Sequence, residues 1–136
     1  MSQAKIAFRE TGEGPILILL HGYAGSVLHW DPIVHDLKSS YKVVVPNLSH
    51  LFMGRDYFTF SQQIDVLAQW IREHVTAKST DKKVHLTGIS YGGALVWGLA
   101  LRYPELVDRT VFINPMPPAP ISVFSIRILK SFFRLP

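Results

Sequence analysis

Short apolar runs alternate along the chain with longer segments in which apolar residues recur every three or four positions. KIAFRE alternates apolar and polar residues, which is typical of a half-buried strand, whereas ILILL is apolar throughout. Three further runs, YKVVVP, KKVHLTG and RTVFINP, predict strands later in the chain. The pattern therefore predicts five β-strands, most of them buried.

The segments between these runs predict helices. One helix begins near Trp30 and closes at VHDLKSS, and a second is opened by Thr59 and Gln62, which form a capping-box pair. The apolar residues on one side of the second helix are Ile64, Leu67, Ala68, Ile71 and Val75. Residues 91–103 predict a third, almost entirely apolar helix. Buried strands joined by helices favour an α/β fold, a mostly parallel sheet with helices on both faces.

Four loops each follow one of the predicted parallel strands. They are HGYAG, PNLSH, GISYGG and NPMPP. The carboxyl ends of parallel strands meet at one edge of a sheet, where ligands of such folds bind. We therefore expect these four loops to form a common rim and to hold the functional site.

The loop GISYGG places Ser90 between small residues, at the end of a predicted strand and the start of a predicted helix. The pattern G-x-S-x-G is weak alone, but this context is that of a nucleophile elbow, a sharp turn that lifts a serine hydroxyl clear of the sheet. Gly88 and Gly92 would relieve crowding against the neighbouring strand and helix. The backbone N–H of Tyr91, at the helix start, suits a developing oxyanion. The alternative is an ordinary tight turn in which small residues only permit packing.

A second oxyanion donor is expected from HGYAG, the loop after the adjacent strand. Gly22 allows close approach of the backbone, and Tyr23 would contribute its N–H. His21 is predicted to brace this loop by hydrogen bonds rather than to act as a general base, because a base must aim its ring at the serine hydroxyl.

These segments together resemble the amino-terminal half of a serine hydrolase of the α/β-hydrolase fold, over roughly residues 4–115. They are PILILLHGYAG, YKVVVPNL and VHLTGISYGGALVWGLALRYPELVDRTVFINP. The resemblance implies that Ser90 is the nucleophile and that the N–H groups of Tyr23 and Tyr91 form the oxyanion hole. A serine at the elbow speaks against the dehalogenases and epoxide hydrolases of this fold, which use aspartate there. Asn47 stands where many relatives carry aspartate.

The base and acid that would activate Ser90 are missing from the family's order of serine, acid, histidine. No histidine follows Ser90, and the acids that follow it, Glu105 and Asp108, are predicted at the opposite end of the sheet. His50 follows a strand at the correct rim but has no evident acid to orient it. The chain is therefore expected to be a fragment or a truncated gene product, an incomplete α/β-hydrolase fold that is inactive alone.

Two structural expectations follow from this incompleteness. Residues 1–118 are predicted to form the amino-terminal part of the core, and residues 119–136 the start of a lid. Within residues 121–136, Arg127, Lys130 and Arg134 form one stripe opposite a broad apolar arc, so contact with a membrane surface is the alternative. The segment TVFIN would lie at an exposed apolar sheet edge, where the chain could associate with itself.

Composition excludes several other functions. The 136 residues carry a formal net charge of +4, but three of the basic residues lie in the tail and the rest of the chain is nearly neutral, so no nucleic-acid surface is indicated. The chain has no cysteine, and its histidines have no metal-site spacing. No nucleotide cofactor is indicated, since TGEGP leads into a strand rather than a helix. A cytoplasmic location is the default expectation.

The sequence thus favours hydrolysis of a small carboxylic ester or related carbonyl substrate through an acyl-serine intermediate. An acyltransferase or a carbon–carbon hydrolase on the same scaffold would share Ser90, and both stay open. A non-enzymatic ligand-binding module is the remaining alternative.

Overall fold

A single mixed sheet organises the computed structural model, which describes residues 6–53, 58–77, 79–80 and 82–116. Its strands are β1 (Phe8–Thr11), β2 (Ile16–Leu20), β3 (Lys42–Pro46), β4 (Val84–Ile89) and β5 (Val107–Ile113). They lie in the order β1-β3-β2-β4-β5, with β1 antiparallel to β3 and the other four parallel. The predicted strands and the mostly parallel sheet are confirmed.

Four α-helices connect and cover the strands within the described residues. They are α1 (Asp31–Leu37), α2 (Ser49–Met53), α3 (Phe60–Trp70) and α4 (Tyr91–Arg102). A 3₁₀ turn (Val27–Trp30) precedes α1, a π-helical turn (Ile71–Val75) extends α3, and a 3₁₀ turn (Pro104–Leu106) follows α4. The predicted capping box opens α3, with both of its hydrogen bonds present.

The short helix α2 lies in a segment that the sequence interpretation treated as loop. It begins after Asn47, whose side-chain oxygen accepts a hydrogen bond from the N–H of Ser49 at 3.0 Å. A five-residue helix is too short for periodicity to reveal, and its first turn depends on this local side-chain cap.

Helices pack on both faces of the sheet, as predicted. On one face α3 and α4 bury the larger cluster, in which Ile18 is fully buried and lies beside Val44 of β3 and Leu86 of β4. On the other face Trp30 packs against Leu17 and its neighbours with partial cover from α1. The two clusters fix the sheet, so that the strand ends at its carboxyl edge become rigid supports for loops.

The sheet ends at β5 without a further partner among the described residues. Its residues are mostly exposed, including Val111, Phe112 and Ile113. The tail expected to begin a lid, residues 119–136, lies outside the described residues. Within the described part of the chain, no helix has both the length and the apolar character needed to cross a bilayer.

Candidate active site

Ser90 lies at the junction between β4 and α4 in a backbone conformation that few non-glycine residues adopt, with φ 54° and ψ −119°. Its N–H donates to the carbonyl of Ile113 at 3.0 Å, and its own carbonyl accepts from the N–H groups of Gly93 and Met116, each at 3.0 Å. Such a conformation costs about 1–3 kcal/mol and persists only when its surroundings hold it. Here β5, the loop after β5 and the first turn of α4 hold it.

The two glycines beside Ser90 lie where no side chain fits. A Cβ atom on Gly88 would overlap the carbonyl oxygen of Gly92, and one on Gly92 would overlap the carbonyl oxygen of Leu20. Because both obstacles are backbone atoms, they cannot move aside as a flexible side chain could. The close packing of β4, α4 and β2 at this point therefore depends on glycine at both positions.

The turn at residues 22–25 lies directly against Ser90. A Cβ atom built on Gly22 would lie 3.4 Å from Ser90 Cβ and 3.8 Å from Ser90 Oγ, and the turn is closed by a hydrogen bond from Gly25 N–H to Gly22 O at 3.0 Å. The structure thus brings the loop after β2 and the serine together. Within the described residues, the N–H groups of Tyr23 and Tyr91 have no hydrogen-bond acceptor.

His21 is fully buried beneath this turn. Its Nε2 accepts a hydrogen bond from the N–H of Leu48 at 3.0 Å, so the ring proton belongs on Nδ1, which lies 2.9 Å from Gly22 O and donates to it. Burial lowers the pKa of His21 below its ordinary value of 6.5, and the neutral ring is the form that this geometry requires. His21 therefore ties the loop after β3 to the turn beside Ser90, and both ring nitrogens are occupied.

An aromatic cluster that the sequence interpretation did not identify lies beside the serine. We use this name for Tyr23, Phe52, Phe60 and Tyr91. The Tyr91 ring packs against each of the other three, with centroid separations of 5.1 Å to Phe52, 5.9 Å to Phe60 and 6.1 Å to Tyr23. Burial raises the pKa of Tyr91 above its ordinary value. The cluster gives the rim an apolar wall next to Ser90.

Gln63 of α3 anchors this cluster and was also missed. Its Oε1 accepts from the Tyr91 hydroxyl at 2.8 Å, and its Nε2 donates to the carbonyls of Leu51 at 3.1 Å and Phe58 at 3.2 Å. A sequence signal existed, because Gln63 is a polar residue adjoining the apolar stripe of α3, and a buried polar side chain needs partners.

No general base for Ser90 is found in the part of the chain that the structure describes. None of the six histidines hydrogen-bonds to Ser90 Oγ, and His50 is exposed on α2 without a carboxylate partner among the described side chains. The incomplete triad therefore stays a prediction from the sequence.

The acids that follow Ser90 lie at the other end of the sheet. Glu105 pairs with Arg72 at 2.6 Å, and Asp108 lies 3.3 Å from His85 Nδ1 without the alignment of a hydrogen bond. Asp108 precedes Ile113 by five strand residues, a separation of about 16 Å along β5. Neither carboxylate is placed to orient a base at the serine. Across the described residues, no group of three or more acidic or histidine side chains is arranged to hold a metal ion.

Comparisons with known proteins agree with this geometry. Residues 15–135 match the alpha/beta hydrolase fold family, and the chain belongs to that family. The chain is 30% identical over 112 residues to a pimeloyl-[acyl-carrier protein] methyl ester esterase of Aeromonas hydrophila, covering 82% of this chain and 42% of that protein. It is 27% identical over 128 residues to epoxide hydrolase 3 of Mus musculus, covering 90% of this chain and 34% of that protein.

A solved structure shows the same partial coverage. A structure from a study of carboxylesterases of the archaeon Nitrososphaera gargenis superposes with a TM-score of 0.74 at 28% identity, covering 95% of this chain and 47% of the other. The chain thus spans between 34% and 47% of the length of these relatives. It corresponds to a partial α/β-hydrolase fold.

Proposed function

We propose that this chain supplies the nucleophile and the oxyanion hole of a serine hydrolase that cleaves carboxylic esters or related carbonyl compounds. Ser90 Oγ attacks the carbonyl carbon, and its proton passes to a histidine base that is not among these 136 residues. The N–H groups of Tyr23 and Tyr91 bind the oxyanion of the tetrahedral intermediate. The leaving alcohol departs with the proton, and water then hydrolyses the acyl-serine.

The observation that carries this proposal is the strained backbone of Ser90 directly against the Gly22 turn. A serine in an ordinary tight turn gains nothing from a left-handed conformation. A nucleophile gains an accessible hydroxyl near two N–H groups that have no acceptor among the described residues. The aromatic cluster also lowers the local polarity, which strengthens hydrogen bonds to a developing oxyanion.

Because epoxide hydrolases are among the relatives, epoxide hydrolysis is a second candidate activity. The chemistry of a serine nucleophile argues against it. A carboxylate that opens an epoxide forms an ester, which water can hydrolyse at its carbonyl. A serine that opened an epoxide would form an ether, which has no carbonyl and would not turn over. Ser90 therefore favours the esterases among the relatives as guides to the reaction.

The proposal is tested by covalent labelling with a fluorophosphonate, measured by intact mass and peptide mapping. We expect one adduct, at Ser90, in a protein extended by the residues that follow Pro136 in its gene, and none in the matched Ser90→Ala variant. The 136-residue chain without a base should react much more slowly. The proposal is wrong if the extended, folded protein cleaves esters while Ser90→Ala cleaves them equally fast.

A further inference from the structure

The side chain of Gln63 connects three parts of the chain at the site. It is almost fully buried, and its amide contacts the carbonyl of Leu51 in α2, the carbonyl of Phe58 ahead of α3 and the hydroxyl of Tyr91 in α4. The amide oxygen accepts and the amide nitrogen donates twice, so its orientation is fixed by all its partners. A satisfied buried network of this kind rigidifies the segments that it joins.

Gln63 is connected to both residues whose N–H groups would form the oxyanion hole, directly to Tyr91 by a hydrogen bond and to Tyr23 through packed aromatic rings. The Tyr23 and Tyr91 rings pack together, and each packs against Phe52, at 5.4 Å for Tyr23 and 5.1 Å for Tyr91. Tyr91 is held at its far end by Gln63 and at its backbone by the first turn of α4. A shift of the Tyr91 ring would therefore be transmitted to Tyr23 as well.

We propose that Gln63 is a positioning residue, which fixes the Tyr91 side chain and thereby the relative placement of the N–H groups of Tyr23 and Tyr91. The expected effect on catalysis rests on the proposed function. The expected effect of Gln63 on the placement of Tyr91 and Tyr23 does not. Gln63 acts through Tyr91 and touches no reacting atom. A displacement of about 1 Å in such a site is enough to slow a reaction strongly.

A simple structural role for the hydrogen bond is the competing explanation, and the chain contains a matched control. The hydroxyl of Tyr103, the residue that follows α4, donates to Asp65 of α3 at 2.6 Å, so this bond also ties α4 to α3 but at the opposite end of α4 from Ser90. Tyr91→Phe and Tyr103→Phe each remove one hydroxyl and one bond between the same two helices. Loss of stability is expected from both variants.

The first measurement needs no enzymatic activity. In amide NMR spectra of the 136-residue chain, we expect Tyr91→Phe to shift the resonances of Tyr23 and Gly25 and to speed their hydrogen exchange. Tyr103→Phe should leave both amides unchanged. The inference is overturned if Tyr91→Phe leaves the Tyr23 and Gly25 amides unchanged, whatever it does to thermal stability.

The second measurement uses phosphonate labelling of Ser90 in the extended protein. Tyr91→Phe is expected to lower the labelling rate at saturating probe about tenfold, with little change in the half-saturating concentration. Gln63→Glu places an acceptor against the carbonyls of Leu51 and Phe58, so its saturating labelling rate should be lower still. The labelling rate of this variant relative to that of wild type should rise as pH falls, because the new carboxyl gains a proton and becomes a donor. Equal saturating rates for wild type and Tyr91→Phe would overturn the positioning role. Absence of labelling in wild type with the amide shifts present would instead reject the proposed function alone.

Discussion

The rim at Ser90 and the edge strand β5 differ in how tightly neighbouring residues pack around them. At the rim, the N–H and carbonyl of Ser90 both have partners, and the two flanking glycines have no free space around them. On β5, Val111 is 54% exposed, Phe112 41% and Ile113 39%. The rim is constrained from several sides by main-chain atoms. Among the described residues, by contrast, β5 has no strand partner on one side, and most of its side chains are exposed.

The two regions are nevertheless joined, because β5 supplies the carbonyl of Ile113 to the N–H of Ser90. A strand that is largely exposed among the described residues therefore supports the strained backbone of Ser90. Phe112 packs near Trp97 of α4, and because both side chains are partly exposed, this contact is accessible to solvent. We therefore expect that a partner bound to β5 would also stabilise the conformation of Ser90.

The largest expected effect comes from adding one methyl group at the rim. Gly92→Ala places a Cβ atom against the carbonyl of Leu20, so β2 and α4 must separate. We expect a loss of about 3 kcal/mol in the free energy of unfolding, the upper end for overpacking, although alanine is otherwise the better helix former. Urea unfolding followed by circular dichroism measures it.

Gly98→Ala on the same helix is the control for that prediction. Its Cβ would meet the flexible end of the Ile64 side chain rather than backbone, so a smaller loss is expected. If Gly92→Ala were as stable as Gly98→Ala, the rim would be looser than the structure indicates, and the contrast with β5 would not hold.

A second, intermediate effect is expected at the β5 edge. We expect the 136-residue chain to associate with itself through β5, because exposed apolar edge strands pair with other strands. Val111→Lys should weaken this association at least about tenfold, the factor that corresponds to losing about 1.4 kcal/mol of apolar burial. Sedimentation velocity over a concentration series measures the change. Thr11→Lys on the opposite edge, β1, is the control, and an equal effect there would locate the association elsewhere.

The sequence predicted the parts of the molecule that depend on local pattern. The five strands, the capping box of Thr59 and the gathering of the loops around Ser90 follow from periodicity and turn chemistry, and the sheet confirms the fold. The sequence also predicted that the apolar segment TVFIN lies at a sheet edge, and β5 is the edge strand with exposed apolar side chains.

The parts that the sequence did not predict depend on contacts between distant residues. Gln63 and Tyr91 are 28 positions apart, and their hydrogen bond exists only because α3 and α4 pack on the same face. Asn114, with φ 42°, is a second left-handed residue at the rim, in the loop that returns to Ser90.

The smallest expected effect is a dependence of stability on pH that arises from His21. Its pKa is lowered by burial in the folded protein, whereas in the unfolded chain it returns to about 6.5. Below that pH the unfolded chain binds a proton that the folded protein resists, because protonation of Nε2 would break its bond to Leu48. Stability is therefore expected to fall as pH drops below about 6.5, by at most about 1.4 kcal/mol per pH unit. The free energy of unfolding in urea is measured for wild type and His21→Gln between about pH 5.5 and pH 7.5, a range that brackets the ordinary histidine pKa of about 6.5. The difference between their slopes of unfolding free energy against pH gives the contribution of His21. Parallel slopes would show that His21 is not held neutral, and the bracing of the Gly22 turn would need another explanation.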